Sequence, residues 1–242
     1  MKYLIIFSIL LFISCKNSKY QDQFDPSVIT KSSEKINVNG HEDEKTWSQT
    51  QWRAIDNVWL GEKMKQGDFN GKYKMLWDES YIYILAEIED DVLMDIHKDG
   101  LDRYWDDDCL EVFIDEDNSK GNHQYNHNAF AYHIALNNKS VDIGPDSIPH
   151  YYNHLKSARK TTGTKSTWEL AMSVYDNKYI DGGDNIPVKL HENKEIGFMI
   201  AYCDNDNSDE RENFIGSMKV VGDDKNRGWI DAGVFGSYQL KK

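Results

Sequence analysis

Apolar and polar residues alternate with a period of two through almost every ordered stretch of this chain, which leaves little room for anything but β-structure. The run Lys72-Tyr73-Lys74-Met75-Leu76-Trp77 alternates and Asp78-Glu79-Ser80 turns. Tyr81 to Ile88 then continues, with Ile82, Ile84, Ala86 and Ile88 on one face against Tyr81, Tyr83 and Leu85. A short polar turn between two such runs predicts a hairpin. Ala129 to Leu136, Ser166 to Val174, Glu195 to Cys203 and Tyr238 to Leu240 follow the same rule. In Cys109 to Asp115, Leu110, Val112 and Ile114 oppose Cys109, Glu111 and Phe113. No stretch sustains an apolar repeat at helical spacing beyond a turn or two, and Gly182-Gly183 through Pro187 is the strong break in the C-terminal half. Many short strands with polar turns predict an all-β fold, an antiparallel β-sandwich.

The N-terminus reads differently. Residues 1–14 have the form of a signal peptide, with Lys2 at the start, an apolar run from Tyr3 to Ile13, and Ser14-Cys15 at the cleavage point. The run is short of the about 20 residues that a spanning helix needs. Cys15 after Phe12-Ile13-Ser14 resembles a bacterial lipobox, which would make it the acylated (palmitate-bearing) first residue of the mature protein; a plain secretory signal is the other reading. Residues 15–35 are polar and predict a flexible tether, and 36–242 suit a single domain. The expectation is a lipid-anchored protein of the bacterial cell envelope, attached to the membrane through Cys15 at the outer membrane or facing the periplasm. A net charge of −13 excludes nucleic acid as a partner, since phosphate binding needs a basic face. Beyond Cys15 the chain has only Cys109 and Cys203, which either pair or stay as buried free thiols.

Several motifs, in order from about Ile36 to Leu240, carry a family resemblance. They are Val38-Asn39-Gly40 to Trp47, Leu76-Trp77-Asp78-Glu79-Ser80-Tyr81, Trp105 to Asp115, Thr167-Trp168-Glu169-Leu170-Ala171, Gly197-Phe198, Asp204-Asn205-Asp206, and Trp229 with Phe235 to Leu240. The series resembles family 9 carbohydrate-binding modules. The resemblance implies a jelly-roll-like sandwich, often stiffened by calcium, in which two tryptophans clamp a sugar. By motif these are Trp105 and Trp229, with Glu111 and Asn226 as polar sugar contacts. The chemistry agrees, because sugars offer flat C–H faces that stack on aromatic rings and hydroxyls that fixed polar groups can discriminate. The acids Asp106 to Asp108 beside Trp105 are candidates for such hydroxyl contacts. Arg103 and Arg227 are candidate cations at the same site, as are Arg159, Lys160 and Arg211.

The run from Asp204 to Glu210 places oxygen ligands at alternate positions, so Asp204, Asp206 and Asp209 are candidate ligands for a structural calcium. Asp90 with Asp91, or Asp115 to Asp117, would serve equally well. No cofactor for chemistry is expected.

Five of the eight histidines, His123, His127, His133, His150 and His154, fall between Gly121 and His154, interleaved with Tyr125, Tyr132, Tyr151 and Tyr152. Where the family offers an arginine to the sugar, this chain has His133, a group that titrates near neutral pH. Histidine, tyrosine and a cation are also the groups that elimination beside a uronic acid requires. The chain looks like the small lipoproteins of bacterial polysaccharide-degrading systems. The leading expectation is therefore a carbon–oxygen lyase, a dehydratase acting on uronate-containing oligosaccharides. His133 would be the base, with Tyr151, Tyr152 or His150 as its partner. The alternative is a non-catalytic protein that presents oligosaccharides at the cell envelope.

Overall fold

The computed structural model describes residues 25–62, 64–65 and 67–242, so the leader and the lipidation expected at Cys15 lie outside the described residues. The strands in chain order are β1 (Val28–Lys31), β2 (Arg53–Ile55), β3 (Asn57–Leu60), β4 (Phe69–Trp77), β5 (Ile82–Asp90), β6 (Cys109–Asp115) and β7 (Phe130–Ala135). They continue with β8 (Ser140–Ile143), β9 (Pro149–Tyr152), β10 (Leu155–Thr162), β11 (Lys165–Met172), β12 (Glu195–Asp204), β13 (Asn213–Gly216) and β14 (Gly236–Lys241). They pair along one path, β10-β11-β5-β4-β1-β14-β12-β6-β7-β8-β9, with β2 on β4 and β13 between β12 and β3. The path folds over on itself as a β-sandwich. Trp77, Ile84 and Leu170 of one wall share a core with Val112, Tyr132 and Ile200 of the other. Each such side chain contributes about 1.5–3 kcal/mol on leaving water.

The hairpin expected around Asp78 forms β4 and β5, with Trp77 opposite Ile82. The Asp78 carboxylate caps the turn, accepting from the Ser80 and Tyr81 amides at 2.7 and 2.8 Å.

One strand departs from the antiparallel rule. β1 runs parallel to both β14 and β4 and bridges the two walls. Its Ile29 is fully buried, and Val28 O accepts from Arg53 Nη2 at 2.7 Å. Residues 28–31, expected as part of the tether, therefore belong to the folded sheet. A four-residue strand (Val28–Lys31) with one inward side chain carries too little periodicity to stand out from its polar surroundings.

The Val38 to Trp47 motif has a structural job. Glu169, buried on β11, accepts from the Asn39 and Gly40 amides at 2.7 and 3.1 Å and from Trp47 Nε1 at 3.2 Å. Trp47 packs on Leu76, Tyr83 and Leu85 on the outer face of one wall. Gly40 sits at φ +84, and a Cβ there would meet Lys160 Cγ at 2.9 Å.

Every residue of β6 is buried. Leu110, Val112 and Ile114 enter the central core, while Cys109 and Phe113 face a second apolar layer with Trp59, Ala131, Met199, Cys203 and Phe235. Loops cover that outer face, and the candidate site forms among them. Cys109 and Cys203 are register partners on β6 and β12, both buried and both free.

Candidate functional site

The loop leading into β6 is held by three consecutive carboxylates. Asp107 accepts from the Ile96 and His97 amides, both at 3.0 Å, and from His97 Nδ1 at 2.9 Å. Asp108 accepts from the Met94 amide at 2.6 Å and the Asn205 amide at 2.8 Å. Asp106 accepts from the Arg211 amide at 3.2 Å, and its carbonyl accepts from Asn205 Nδ2 at 2.8 Å. The acids that the sequence offered as hydroxyl contacts are thus buried and spent on the backbone. They lock the loop so that Trp105, edge-on to Tyr104 at 4.9 Å, stays 37% exposed.

The opposite rim is built by two loops that pair with each other. Asn122 and Asp231 form a β-bridge, the His123 amide donates to Ile230 O at 2.8 Å, and His123 Nε2 donates to Gly228 O at 2.7 Å. Gly228 sits tight against the sheet, where a Cβ would come within 2.3 Å of Met199 Cε and 3.2 Å of Phe113. This close approach carries the 3-10 turn Arg227–Trp229. Tyr125, in the left-handed region at φ 55, holds its ring 6.4 Å from Trp229.

Between the rims lies a cavity of about 390 Å³ whose aromatic lining is Tyr104, Trp105, Tyr125 and Trp229. Its polar lining is Glu111, His133, Asp142, Arg211 and Asn226. Glu111 and His133 face each other across β6 and β7, with His133 Nε2 3.1 Å from Glu111 Oε2. Burial works against a charged imidazole, but the Glu111 carboxylate overrides it and pushes His133 up to about 10. Burial likewise pushes Asp142 up to about 7, against the Ala131 and Ile143 amides that donate to it. Arg211 reaches in from the loop before β13, stacks over Phe214 at 4.3 Å, and donates through Nη2 to Asn226 Oδ1 at 3.2 Å.

Of the residues expected at the site, Trp105, Trp229, Glu111, Asn226 and His133 therefore line one cavity. Arg103 and Arg227 do not. Arg103 is near Asp102 and the Asp209 carbonyl, while Arg227 is near Asp231 and the Asp224 carbonyl. Arg211 is the arginine in the lining, and nothing in its local pattern marks it off from the other two. Tyr151, Tyr152 and His150 also lie elsewhere. The Tyr152 hydroxyl donates to Asp181 at 2.9 Å among Phe130, Tyr132 and His154, His150 pairs with Asp146 at 2.9 Å, and Lys139 sits over Tyr151. Tyr104, next to Trp105 in sequence, and Asp142, from a segment with no motif of its own, join the lining without having been expected there.

The candidate cation ligands separate in the same way. Carboxylate oxygens of Asp90, Asp204 and Asp206 lie within 4.8 Å of one another, as do those of Asp68, Asp91 and Asp206; Asp209 belongs to neither group. Burial first, and neighbouring carboxylates second, push Asp204 up to about 8 and Asp206 up to about 6. One oxygen of Asp206 is buried without a hydrogen-bond partner. Crowded hard oxygens with raised proton affinity suit a divalent cation such as calcium.

The sequence model of the family described as "Carbohydrate family 9 binding domain-like" matches residues 38–242. The chain is 27% identical over 207 residues to endo-1,4-beta-xylanase A of Thermotoga maritima, covering 85% of this chain and 17% of that protein. It is also 27% identical over 205 residues to endo-1,4-beta-xylanase C of Paenibacillus barcinonensis, covering 85% of this chain and 16% of that one. The chain thus spans about a sixth of the length of these curated relatives. Among solved structures it resembles a carbohydrate binding module family 9 from Caldicellulosiruptor kristjanssonii in complex with cellotriose, at TM-score 0.67 and 20% identity over 88% of this chain and 93% of that one. A carbohydrate binding module family 9 from the same organism in complex with glucose gives a TM-score of 0.65 at 20% identity, over 88% of this chain and 95% of that one.

These matches overturn the elimination chemistry expected from the sequence, because they are to binding modules and not to lyases. The geometry gives the physical reason. His133 is engaged by Glu111, and the tyrosines and histidine proposed as its acid partners line a different part of the fold.

Proposed function

Because this chain belongs to the carbohydrate family 9 binding domain-like family, we propose that it is a non-catalytic carbohydrate-binding protein whose site is the cavity between Trp105 and Trp229. The observation that carries this is the meeting of two indoles, far apart in sequence, at one solvent-open cavity with a polar floor. Trp105 and Trp229, with Tyr125 beside the latter, offer apolar faces to the C–H surfaces of a pyranose ring. Glu111, His133, Arg211 and Asn226 offer fixed donors and acceptors to its hydroxyls. The polar groups are braced by one another before any ligand arrives, so little ordering cost falls on binding. Nothing in this function calls for a catalytic cofactor.

The ligand class we propose is a neutral gluco- or xylo-configured oligosaccharide, in line with the cellotriose and glucose complexes of the structural relative and the xylanases of the sequence relatives. A uronate-containing oligosaccharide is the second reading, favoured by one observation: Arg211 lines the cavity. Calcium at the Asp90, Asp204 and Asp206 group would pin the end of β12 to the end of β5, from which the loop that carries Trp105 departs. Lipid attachment at Cys15, holding the domain at the bacterial cell envelope, completes the proposal.

Isothermal titration of the full chain with cello-, xylo- and glucuronate-containing oligosaccharides tests the reading. Saturable binding that quenches tryptophan fluorescence supports it. No binding to any of the three sinks it.

A further inference from the structure

Beneath the aromatic rim, the same sheet face brings two buried thiols, which sugar binding leaves unused, up to His133 at the floor of the cavity. Cys109 and Cys203 are register partners on β6 and β12, and Glu111 and His133 are register partners on β6 and β7. The pleat returns every second side chain to one face, so Cys109 and Glu111 emerge together. The two sulfurs and a ring nitrogen of His133 all lie within 4.8 Å of one another, and all three residues are buried. Ligand atoms around a tetrahedral zinc stand roughly 3.5–3.8 Å apart, given Zn–S of about 2.3 Å and Zn–N of about 2.0 Å. The three side chains need to close by no more than about 1 Å to meet a single ion.

Their surroundings are those of a ligand set. His133 Nε2 lies 3.1 Å from the Glu111 carboxylate, while its Nδ1 is buried without any hydrogen-bond partner. A carboxylate beside the imidazole recurs around metal-bound histidines. Arg211 Nη1 donates to Cys203 Sγ at 3.2 Å, a contact that favours a thiolate. Charge closes too. Two thiolates and Glu111 carry three negative charges, while Arg211 and a divalent ion carry three positive ones, as a buried site demands. Two sulfurs and an imidazole select a borderline-soft ion over calcium or magnesium.

We infer that Cys109, Cys203 and His133 form a zinc site under the floor of the cavity, with Glu111 and Arg211 orienting and neutralising the ligands. Binding sends the imidazolium proton of His133 and whatever protons the two thiols still carry to solvent, and three protein ligands leave a fourth position for water. The competing fate of the same sulfurs is a cross-strand disulfide, which would abolish the site.

The full chain, purified under reductant and stripped with a chelator, is titrated with Co²⁺ and then Zn²⁺. The expected result is a thiolate-to-cobalt charge-transfer band that saturates at one ion per chain and is bleached by zinc. Affinity should be at least about tenfold weaker in Cys109→Ser and in Cys203→Ser. The wild-type spectrum, with protection of both thiols from alkylation by zinc, keeps the test decisive should a variant fail to fold. A wild-type protein with no such band, or one lacking two hydrogens by intact mass with no thiol left to titrate, overturns the site. Sugar titration of the same samples separates the two proposals: a cobalt band without sugar binding refutes the sugar reading alone.

Discussion

His133 and Glu111 stand opposite each other across the β6–β7 ladder, 3.1 Å apart and both buried, at the floor of the cavity that Trp105 and Trp229 line. Removing one partner of such a pair strands a buried charge. In chelator-treated protein, His133→Gln or Glu111→Gln alone should therefore destabilise by about 3–5 kcal/mol, whereas the two together should recover much of that loss. Urea unfolding of the two singles and the double closes the cycle, and strict additivity would show that the pair is not coupled.

Trp105 and Trp229 are expected to carry the sugar. Truncating either to Ala should weaken oligosaccharide binding about tenfold or more, the ~1.4 kcal/mol or larger loss of an aromatic anchor. Because Trp105 is 37% exposed, its removal should leave the melting temperature nearly unchanged. Titration calorimetry beside thermal melts reads both outcomes. An unaltered affinity in both variants would move the site elsewhere.

Asp204 at the end of β12 and Asp108 just before β6 give the alkaline side of the stability profile. Asp204 is raised to about 8 and Asp108 to about 9, chiefly by burial and then by neighbouring carboxylates, far above the ~3.9 of an unfolded Asp. A raised folded value means the folded state holds the proton more tightly. The contribution is complete below about pH 4 and is lost as pH rises through 8 to 9. In chelator the melting temperature should fall between pH 6 and 9. Calcium should raise it and flatten the slope, and Asp204→Asn should abolish most of the calcium effect. Differential scanning fluorimetry across that range is sufficient.

His154 sets part of the acid side. Burial holds it down to about 4, and Nδ1 accepts from the Tyr132 hydroxyl at 2.6 Å. A depressed imidazole contributes stability that is present above the unfolded value near 6.5 and lost as pH falls towards 4. His154→Gln should lower stability at pH 7 yet lose less between pH 6.5 and 4 than wild type, measured by urea midpoints. Parallel curves for the two proteins would remove His154 from the acid transition.

The strands were legible because β-pleat geometry writes itself into the chain as a period of two, with polar turns between runs. The hairpin at Asp78, the two faces of β6 and the long β12 follow from that rule alone. Trp105, Trp229, Glu111, Asn226 and His133 could be named because each sits in a motif. What no local pattern could supply was a partner. Arg211 looks like Arg103 and Arg227 until β13 carries it to the cavity. Tyr151 looks like a proton donor until β9 takes it out of reach. Asp106 to Asp108 look like sugar contacts until their backbone partners appear. β1 escaped because its pairing with β4 and β14 joins the two ends of the chain. Sequence alone determined the elements and much of the residue set, since strand periodicity and turn chemistry are short-range. Only the tertiary structure decided which charges meet, which thiols lie beside His133 and which acids are already spent, because those depend on registers between strands distant along the chain.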